Sequence, residues 1–260
     1  MAGKKKLAES RQRAQALILA GKVRYGSEVV DKPGRLLDPE ELLLVLEDPN
    51  PYVSRGGLKL RHALEEFRID PTGLTALDVG ASTGGFTDCL LQHGAEKVVA
   101  VDVGYGQLDY RLRQDGRVQV VERLNARELE PEHVDGLLFD LAVIDVSFIS
   151  LNLILPRVFP LMQETGSVLA MVKPQFEVGR TEVEKKGVIR DPAKHYSAVV
   201  KVAACVETLR WGLAGVVRSP IEGAKGNREF FLHCNTGAYG TLWEPGALWE
   251  KVHPEREIEL

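Results

Sequence analysis

Between residues 76 and 102 the chain alternates in a way that few folds accommodate. The apolar run Ala76-Leu77-Asp78-Val79 stops at Gly80-Ala81-Ser82-Thr83-Gly84-Gly85-Phe86, and Thr87-Asp88-Cys89-Leu90-Leu91 then reads as a helix. A glycine-rich turn between a buried strand and a helix presents bare backbone at the carboxyl edge of a parallel sheet, where a ligand can lie against it. The next apolar run, Val98-Val99-Ala100-Val101, ends in Asp102. About 20 residues past such a turn, a carboxylate falls where a ligand's ribose hydroxyls would lie. The pattern predicts an α/β domain with a doubly wound, Rossmann-like sheet and an adenosine-type cofactor.

The turn itself narrows the cofactor. A dinucleotide fingerprint places glycine at three positions, the middle one so that a pyrophosphate can approach the backbone. Here that middle position is Ser82, and the Gly-Lys-Ser/Thr ending of a phosphate-cradling loop is absent. Adenosine and ribose without phosphate fit better, which points to S-adenosylmethionine held by Gly80, Ala81, Ser82, Thr83, Gly84, Gly85 and Phe86, with Asp102 at the ribose. A dinucleotide oxidoreductase is the minor alternative. The same residues also match G-x-S-x-G, the nucleophile elbow of α/β-hydrolases. That reading lacks an earlier strand to supply an oxyanion loop, and neither His195, at a helix start, nor His233, in an apolar strand, is anchored as a triad member. Ser82 and Thr83 have a plainer role as N-caps of the following helix.

With 260 residues, 44% of them hydrophobic and 27% charged, the chain is globular and long enough for one main domain and a small one. Cys89, Cys205 and Cys234 lie far apart in apolar surroundings, as buried thiols in a reducing compartment would. No histidine cluster has metal-ligand spacing, so no metal is expected. Met1-Ala2-Gly3-Lys4-Lys5-Lys6 leads into a polar helix instead of an apolar signal segment, and the most apolar stretch, residues 137–155, is broken by Asp140 and Asp145. A soluble, cytoplasmic protein with no membrane partner is expected. Charge is uneven: residues 1–35 hold nine Lys and Arg against three acids, in a chain whose formal net charge is −4. Such asymmetry suggests that this end docks on a polyanion.

Residues 7–18 read as a short helix with Ser10 as its N-cap and Ala14, Leu17 and Ile18 on one face, ended by Gly21. Val23, Tyr25, Val29 and Val30 suggest two short strands around Gly26-Ser27. Pro49-Asn50-Pro51 marks a linker, and a glycine turn at Gly56-Gly57 precedes an amphipathic helix to about Phe67. From residue 74 strands are expected near 75–80, 97–102, 118–121, 138–145 and 167–173, with the longest helix from Asp191 to about Leu209. Two more strands fall near 213–218 and 229–234. Their Val, Leu and Ile runs suit a sheet covered on both faces. Trp243 and Trp249, in the Gly- and Pro-containing ending, are read as packing aromatics.

Four polar residues stand out against this frame. Asp145 ends Leu141-Ala142-Val143-Ile144, and Lys173 ends Val168-Leu169-Ala170-Met171-Val172. Glu229 opens Phe230-Phe231-Leu232, and Lys59 adjoins Gly56-Gly57. In a doubly wound sheet with an antiparallel last strand, all four converge on the crevice of the glycine turn. Alternating charges there suit methyl transfer to a ribose hydroxyl, in which the enzyme aligns an oxygen and helps its proton leave.

Two resemblances then appear. The helix and hairpin, with Ser-Arg-x-x-Ala-x-x-Leu-Ile and Gly-x-Val, resemble the S4 RNA-binding domain, although the additional opening helix usual in S4 domains has no counterpart. Ser54-Arg55-Gly56-Gly57-Leu58-Lys59-Leu60, Gly80–Phe86, Asp145-Val146-Ser147-Phe148, Lys173-Pro174-Gln175-Phe176-Glu177 and Gly226-Asn227-Arg228-Glu229-Phe230 are together similar to the TlyA family, also labelled hemolysin A. The resemblance spans roughly residues 7–236. It implies an S4 domain fused to an FtsJ-like methyltransferase that uses S-adenosylmethionine to methylate a cytidine ribose in ribosomal RNA. It also implies a catalytic tetrad of Lys59, Asp145, Lys173 and Glu229, with Asn125 near the adenine. The domains expected are an S4-like module over 1–47, a linker over 48–58, the methyltransferase over 59–236 and an extension over 237–260. Arg11, Arg13, Lys22, Arg24 and Arg55 are the candidate RNA contacts. The competing functions are a non-catalytic RNA-binding assembly factor, which intact charges at all four tetrad positions oppose, and a hemolysin.

Overall fold

The structure, a computed structural model, describes residues 11–19, 21–38, 43–45, 50–179, 183, 187–240, 243 and 245–253. They divide into two compact units, residues 1–51 and 52–260.

In the first unit, helix α1 (Arg11–Leu19) is followed by strands β1 (Val23–Tyr25), β2 (Glu28–Val30) and β3 (Leu43–Val45), which form a sheet in the order β2-β1-β3. Gly21 stops the helix at φ +66°, with its N–H and that of Lys22 returned to the carbonyls of Ile18 and Leu17. Ser10 lies outside the described residues. The hairpin turns at Gly26-Ser27 as the sequence indicates, but β3 was not foreseen: three residues are too few to show a period. Leu17, Val23 and Val30 form a small core. Arg24 pairs across the sheet with Val29 and Leu44, and all three side chains are exposed.

The second unit opens with α2 (Gly56–Phe67), whose first two residues are the glycines read above as a turn. They begin the helix instead of forming a separate turn, and Tyr52 packs so closely on Gly57 that a Cβ there would fall 2.2 Å from its ring. The chain then runs through β4 (Thr75–Val79), α3 (Gly85–Gln92), β5 (Lys97–Asp102), α4 (Tyr110–Arg113), β6 (Val118–Glu122), β7 (Phe139–Ile144) and α5 (Leu155–Val158). It continues with β8 (Met162–Val172), α6 (Pro174–Glu177), α7 (Pro192–Thr208), β9 (Gly212–Arg218), β10 (Phe230–Asn235) and α8 (Pro245–Val252). The seven strands form one sheet in the order β6-β5-β4-β7-β8-β10-β9. Strands β4 to β8 pair in parallel, and β10 is antiparallel to both β8 and β9.

Alternate residues of each central strand feed opposite faces. Leu77, Val79, Val99, Val101, Ala142 and Ile144 enter the layer that includes α5 and α7, whereas Ala76, Val98, Ala100, Leu141 and Val143 enter the layer of α2 and α3. Burying each large side chain, Phe139, Phe230 and Phe231 among them, stabilises the fold by roughly 1.5–3 kcal/mol. Order reverses at β4, the switch point at which open α/β sheets bind ligands. Register sets the site's level: Val79 pairs with both Val101 and Ile144, so Gly80, Asp102 and Asp145 leave or end the sheet together.

The ending folds back on the sheet. Trp243 Nε1 donates to the Leu213 carbonyl at 2.6 Å, and Trp249 of α8 meets the Tyr196 ring of α7 at 5.3 Å. His195 and His233 are engaged away from the glycine turn, with Ile189 O at 2.9 Å and Ser167 Oγ at 3.1 Å, and burial lowers the pKa of both. This leaves the nucleophile-elbow reading without a base. Burial pushes the Cys89 thiol up to about 12 and raises that of Cys234 as well, so both are inert buried sulfurs.

Candidate active site

The glycine turn is shaped by close approaches. Gly80 stands at φ +88°, and a Cβ there would meet the Asp145 carbonyl oxygen at 2.8 Å. Gly84, at φ +96°, is the N-cap of α3; a side chain on it would strike Leu112, and one on Gly85 would strike Ser54. The expectation that Ser82 or Thr83 caps this helix is therefore corrected: Gly84 does so with no side-chain bond. Ser82 is itself left-handed, at φ +50°. Its N–H donates to Asp102 Oδ2 at 2.8 Å, while Asp102 Oδ1 accepts the Gly104 N–H at 2.6 Å.

Two recesses open beside the turn. The larger, a crevice of about 910 Å³, runs past Gly80, Ser82 and Asp102 to Asn125, and past Asp145 to Ser147, Phe148 and Gln175. The smaller, about 250 Å³, is lined by Arg55, Lys59, Gly80 to Thr83, Gly85, Phe86, Asp145 and Gly223. Gly80, Ser82 and Asp145 border both. Asn125 Oδ1 accepts the Arg127 N–H at 3.1 Å, so it caps a turn and borders the crevice at once.

The four singled-out charges form two pairs. Lys59 Nζ donates to Glu229 Oε2 at 2.5 Å, and Lys173 Nζ lies 2.6 Å from Asp145 Oδ1. Glu229 and Lys173 are the residues next beyond the paired Phe230 and Val172, on adjacent strands at the same edge. Lys59 and Asp145 line the same small recess. The side chains of Lys59 and Glu229 are 12% and 3% exposed, those of Lys173 and Asp145 10% and 23%. At such depths a charge requires its partner.

Several neighbours escaped the sequence reading. Lys173 Nζ also donates to Ser147 Oγ at 2.8 Å. Gly223 lies so close to Glu229 that a Cβ would fall 2.0 Å from Oε1. Asn227 accepts the Ile189 N–H at 2.9 Å and donates to Gly187 O at 3.0 Å, tying the segment before α7 to the Glu229 loop. Glu177, pushed up by burial, accepts from Ser150 Oγ at 2.6 Å and Leu151 N at 2.8 Å and so holds the loop after β7. Asp78, fully buried on β4, accepts from Thr87 Oγ1 at 2.6 Å, and burial pushes its carboxyl up to about 7. Only Asp78 left a signal, a charge within an apolar strand. The others depend on tertiary proximity.

Of the candidate RNA contacts, Arg24 is exposed, Lys22 is partly buried and Arg55 borders the small recess. Arg11 and Arg13 lie in α1, with side chains outside the described residues. Among the described residues no group of three His, Cys, Asp or Glu could hold a metal ion, and no helix is long and apolar enough to cross a membrane.

A seven-stranded sheet with one reversed strand, and a glycine turn at its switch point, define a methyltransferase of the Rossmann-like class. A methyltransferase structure from Listeria monocytogenes, described as S-adenosylmethionine-dependent on a provisional basis, shares this fold at 16% identity and TM-score 0.50, over 70% of this chain and 98% of its own. The FtsJ-like methyltransferase family matches residues 52–236, and the S4 domain matches residues 4–43. The 16S/23S rRNA (cytidine-2′-O)-methyltransferase TlyA of Mycobacterium tuberculosis is 47% identical over 95% of this chain and 92% of its own length. A solved structure from Streptococcus thermophilus, described as a candidate hemolysin, is 41% identical with TM-score 0.77, covering 95% of this chain and 90% of that one. The chain belongs to the FtsJ-like methyltransferases, in the TlyA family that joins them to an S4 domain.

Proposed function

We propose that the chain uses S-adenosylmethionine to methylate the 2′-hydroxyl of a cytidine in ribosomal RNA, acting on ribosomal RNA or a ribosomal subunit in the cytoplasm. The observation that carries this reading is the pair of ion pairs, Lys59–Glu229 and Lys173–Asp145, at the sheet edge that carries the glycine turn. Gly80 to Thr83, Gly85 and Phe86 suit an adenosine-type cofactor because they line the recess beside the turn, where bare backbone lets a ligand approach closely. Asp102 sits at the crevice for ribose hydroxyls, and Asn125 borders the same wall. The bound cofactor supplies an activated sulfonium methyl.

The chain's own residues then have three tasks. Lys59, fixed by Glu229, and Lys173, fixed by Asp145, present donors that orient the incoming ribose oxygen. The ribose hydroxyl must also lose its proton, and the Asp145 carboxylate, which lines the crevice beside Lys173, would receive it. Burial of these pairs excludes competing water and strengthens their field at the reacting oxygen. Docking falls to the basic first unit, where Arg24 stands exposed beside Val29 and Leu44.

The test compares ribose methylation of ribosomal RNA by mass spectrometry in cells with and without the chain, and in cells carrying Lys173→Ala. A cytidine 2′-O-methyl group present only with the intact protein is expected. Identical maps in all three would sink the proposal, and full methylation by the variant would remove Lys173 from the chemistry.

A further inference from the structure

We infer that Ser147 is a positioning residue for methyl transfer, setting the direction in which Lys173 presents its ammonium group to the ribose hydroxyl. This rests on the tetrad reading above and adds to it a residue outside the four. The two contacts of Lys173 differ in kind. Asp145 Oδ1 lies 2.6 Å from Nζ, but off the axis of a hydrogen bond, so this contact is charge attraction with little direction. The Ser147 hydroxyl, 2.8 Å away, accepts a hydrogen bond from the same nitrogen. A lysine ammonium is a compact charge on a flexible stem with three rotatable donors, and an ion pair alone leaves its donors free to turn. A hydrogen bond to a fixed hydroxyl restricts that freedom and directs the remaining N–H groups.

The surroundings are consistent with this division of labour. Lys173 is buried, whereas Ser147 is exposed and lines the large crevice beside Asp145. The serine hydroxyl therefore ties the buried lysine to the wall of the crevice. Its loop is not free to drift: Asp145 N donates to Val79 O at 2.9 Å at one end, and Glu177 holds Ser150 and Leu151 at the other. A fixed loop gives the hydroxyl a fixed place, as orientation effects in catalysis require.

The experiment measures single-turnover methylation of unmodified ribosomal subunits with tritiated S-adenosylmethionine, alongside the dissociation constants for cofactor and RNA. Four variants are compared with the native chain: Ser147→Ala, Ser147→Thr, Lys173→Ala and the double Ser147→Ala/Lys173→Ala. Ser147→Ala is expected to slow turnover about tenfold with both dissociation constants and Tm unchanged, because orientation acts on the transition state and not on binding. Ser147→Thr, which keeps the hydroxyl, should recover turnover to within about twofold. The double variant should be no slower than Lys173→Ala, since the serine acts only through the lysine. Native turnover in Ser147→Ala, or equal loss in the alanine and threonine variants, overturns the inference while leaving the tetrad intact. Native turnover in Lys173→Ala overturns the tetrad reading itself, and this inference with it.

Discussion

Replacing Lys59 by methionine isolates the ion pair that links α2 to β10. Glu229 is 3% exposed, and its Oε2 accepts from Lys59 Nζ at 2.5 Å. Methionine keeps the apolar stem of the lysine, which passes 4.0 Å from Met171 Sδ at its charged end, and removes only the charge. The carboxylate then has no other ion-pair partner among the described residues. Breaking a buried pair from one side costs about 3–5 kcal/mol, most of it the desolvation of the charge left behind. For a domain of the size of residues 52–260, each kcal/mol lowers Tm by about 2–4 °C, so a fall of about 6–20 °C is expected. Glu229→Gln should cost less, because Lys59 is 12% exposed and can turn its ammonium toward water. The double variant Lys59→Met/Glu229→Gln should regain much of the loss, because neither charge remains to be desolvated. Differential scanning calorimetry of the four proteins closes the cycle. If Lys59→Met melts within about 2 °C of the native chain, Glu229 is not a desolvated carboxylate and the electrostatic argument for the site fails.

Four further outcomes follow from the same geometry. Asp78 has its folded pKa raised to about 7 from an ordinary value near 4, so the unfolded chain gives up this proton first. Stability therefore falls as pH rises from about 4 to about 7, by about 4 kcal/mol at 1.36 kcal/mol per unit, and urea titrations should show that slope flattened in Asp78→Asn. Gly223→Ala puts a methyl 2.0 Å from Glu229 Oε1 and should abolish methylation while cofactor binding, followed by calorimetry, persists. Asn227→Ala leaves the Ile189 N–H without its acceptor, a loss of about 1–3 kcal/mol; hydrogen exchange at residues 187–189 should quicken, and unchanged protection would dismiss the anchor. Arg11→Ala with Arg13→Ala should reduce the dependence of log K for RNA on log salt by about 0.7 per lost phosphate contact, and an unaltered slope would locate docking elsewhere.

How much of this could be read before folding follows from where each constraint resides. The sheet was legible because Ala76–Val79, Val98–Val101 and Leu141–Ile144 are buried on both faces, and that burial is written as apolar runs broken only by Asp78. The glycine turn was legible for a similar reason: Gly80 and Gly84 need a backbone that only glycine adopts without cost, and composition records that need directly. β3 could not be read, because three residues paired to a distant strand carry no period of their own. The turn read at Gly56-Gly57 has the same origin, for it is the packing of the Tyr52 ring on Gly57, and not a bend of the chain, that demands a small residue there. The site divides along this line. A charge at the end of an apolar strand can be noticed one residue at a time, as Asp145, Lys173 and Glu229 were. Whether two such charges touch depends on strand order, and the antiparallel placement of β10 beside β8 is what sets Glu229 next to Lys173. Ser147 and Gly223 are ordinary loop residues in sequence and matter only through atoms that the fold brings to them. The parts of the site that hold others in position are therefore the least visible in sequence, and substitutions that keep the four charges but disturb these supports should slow or abolish turnover.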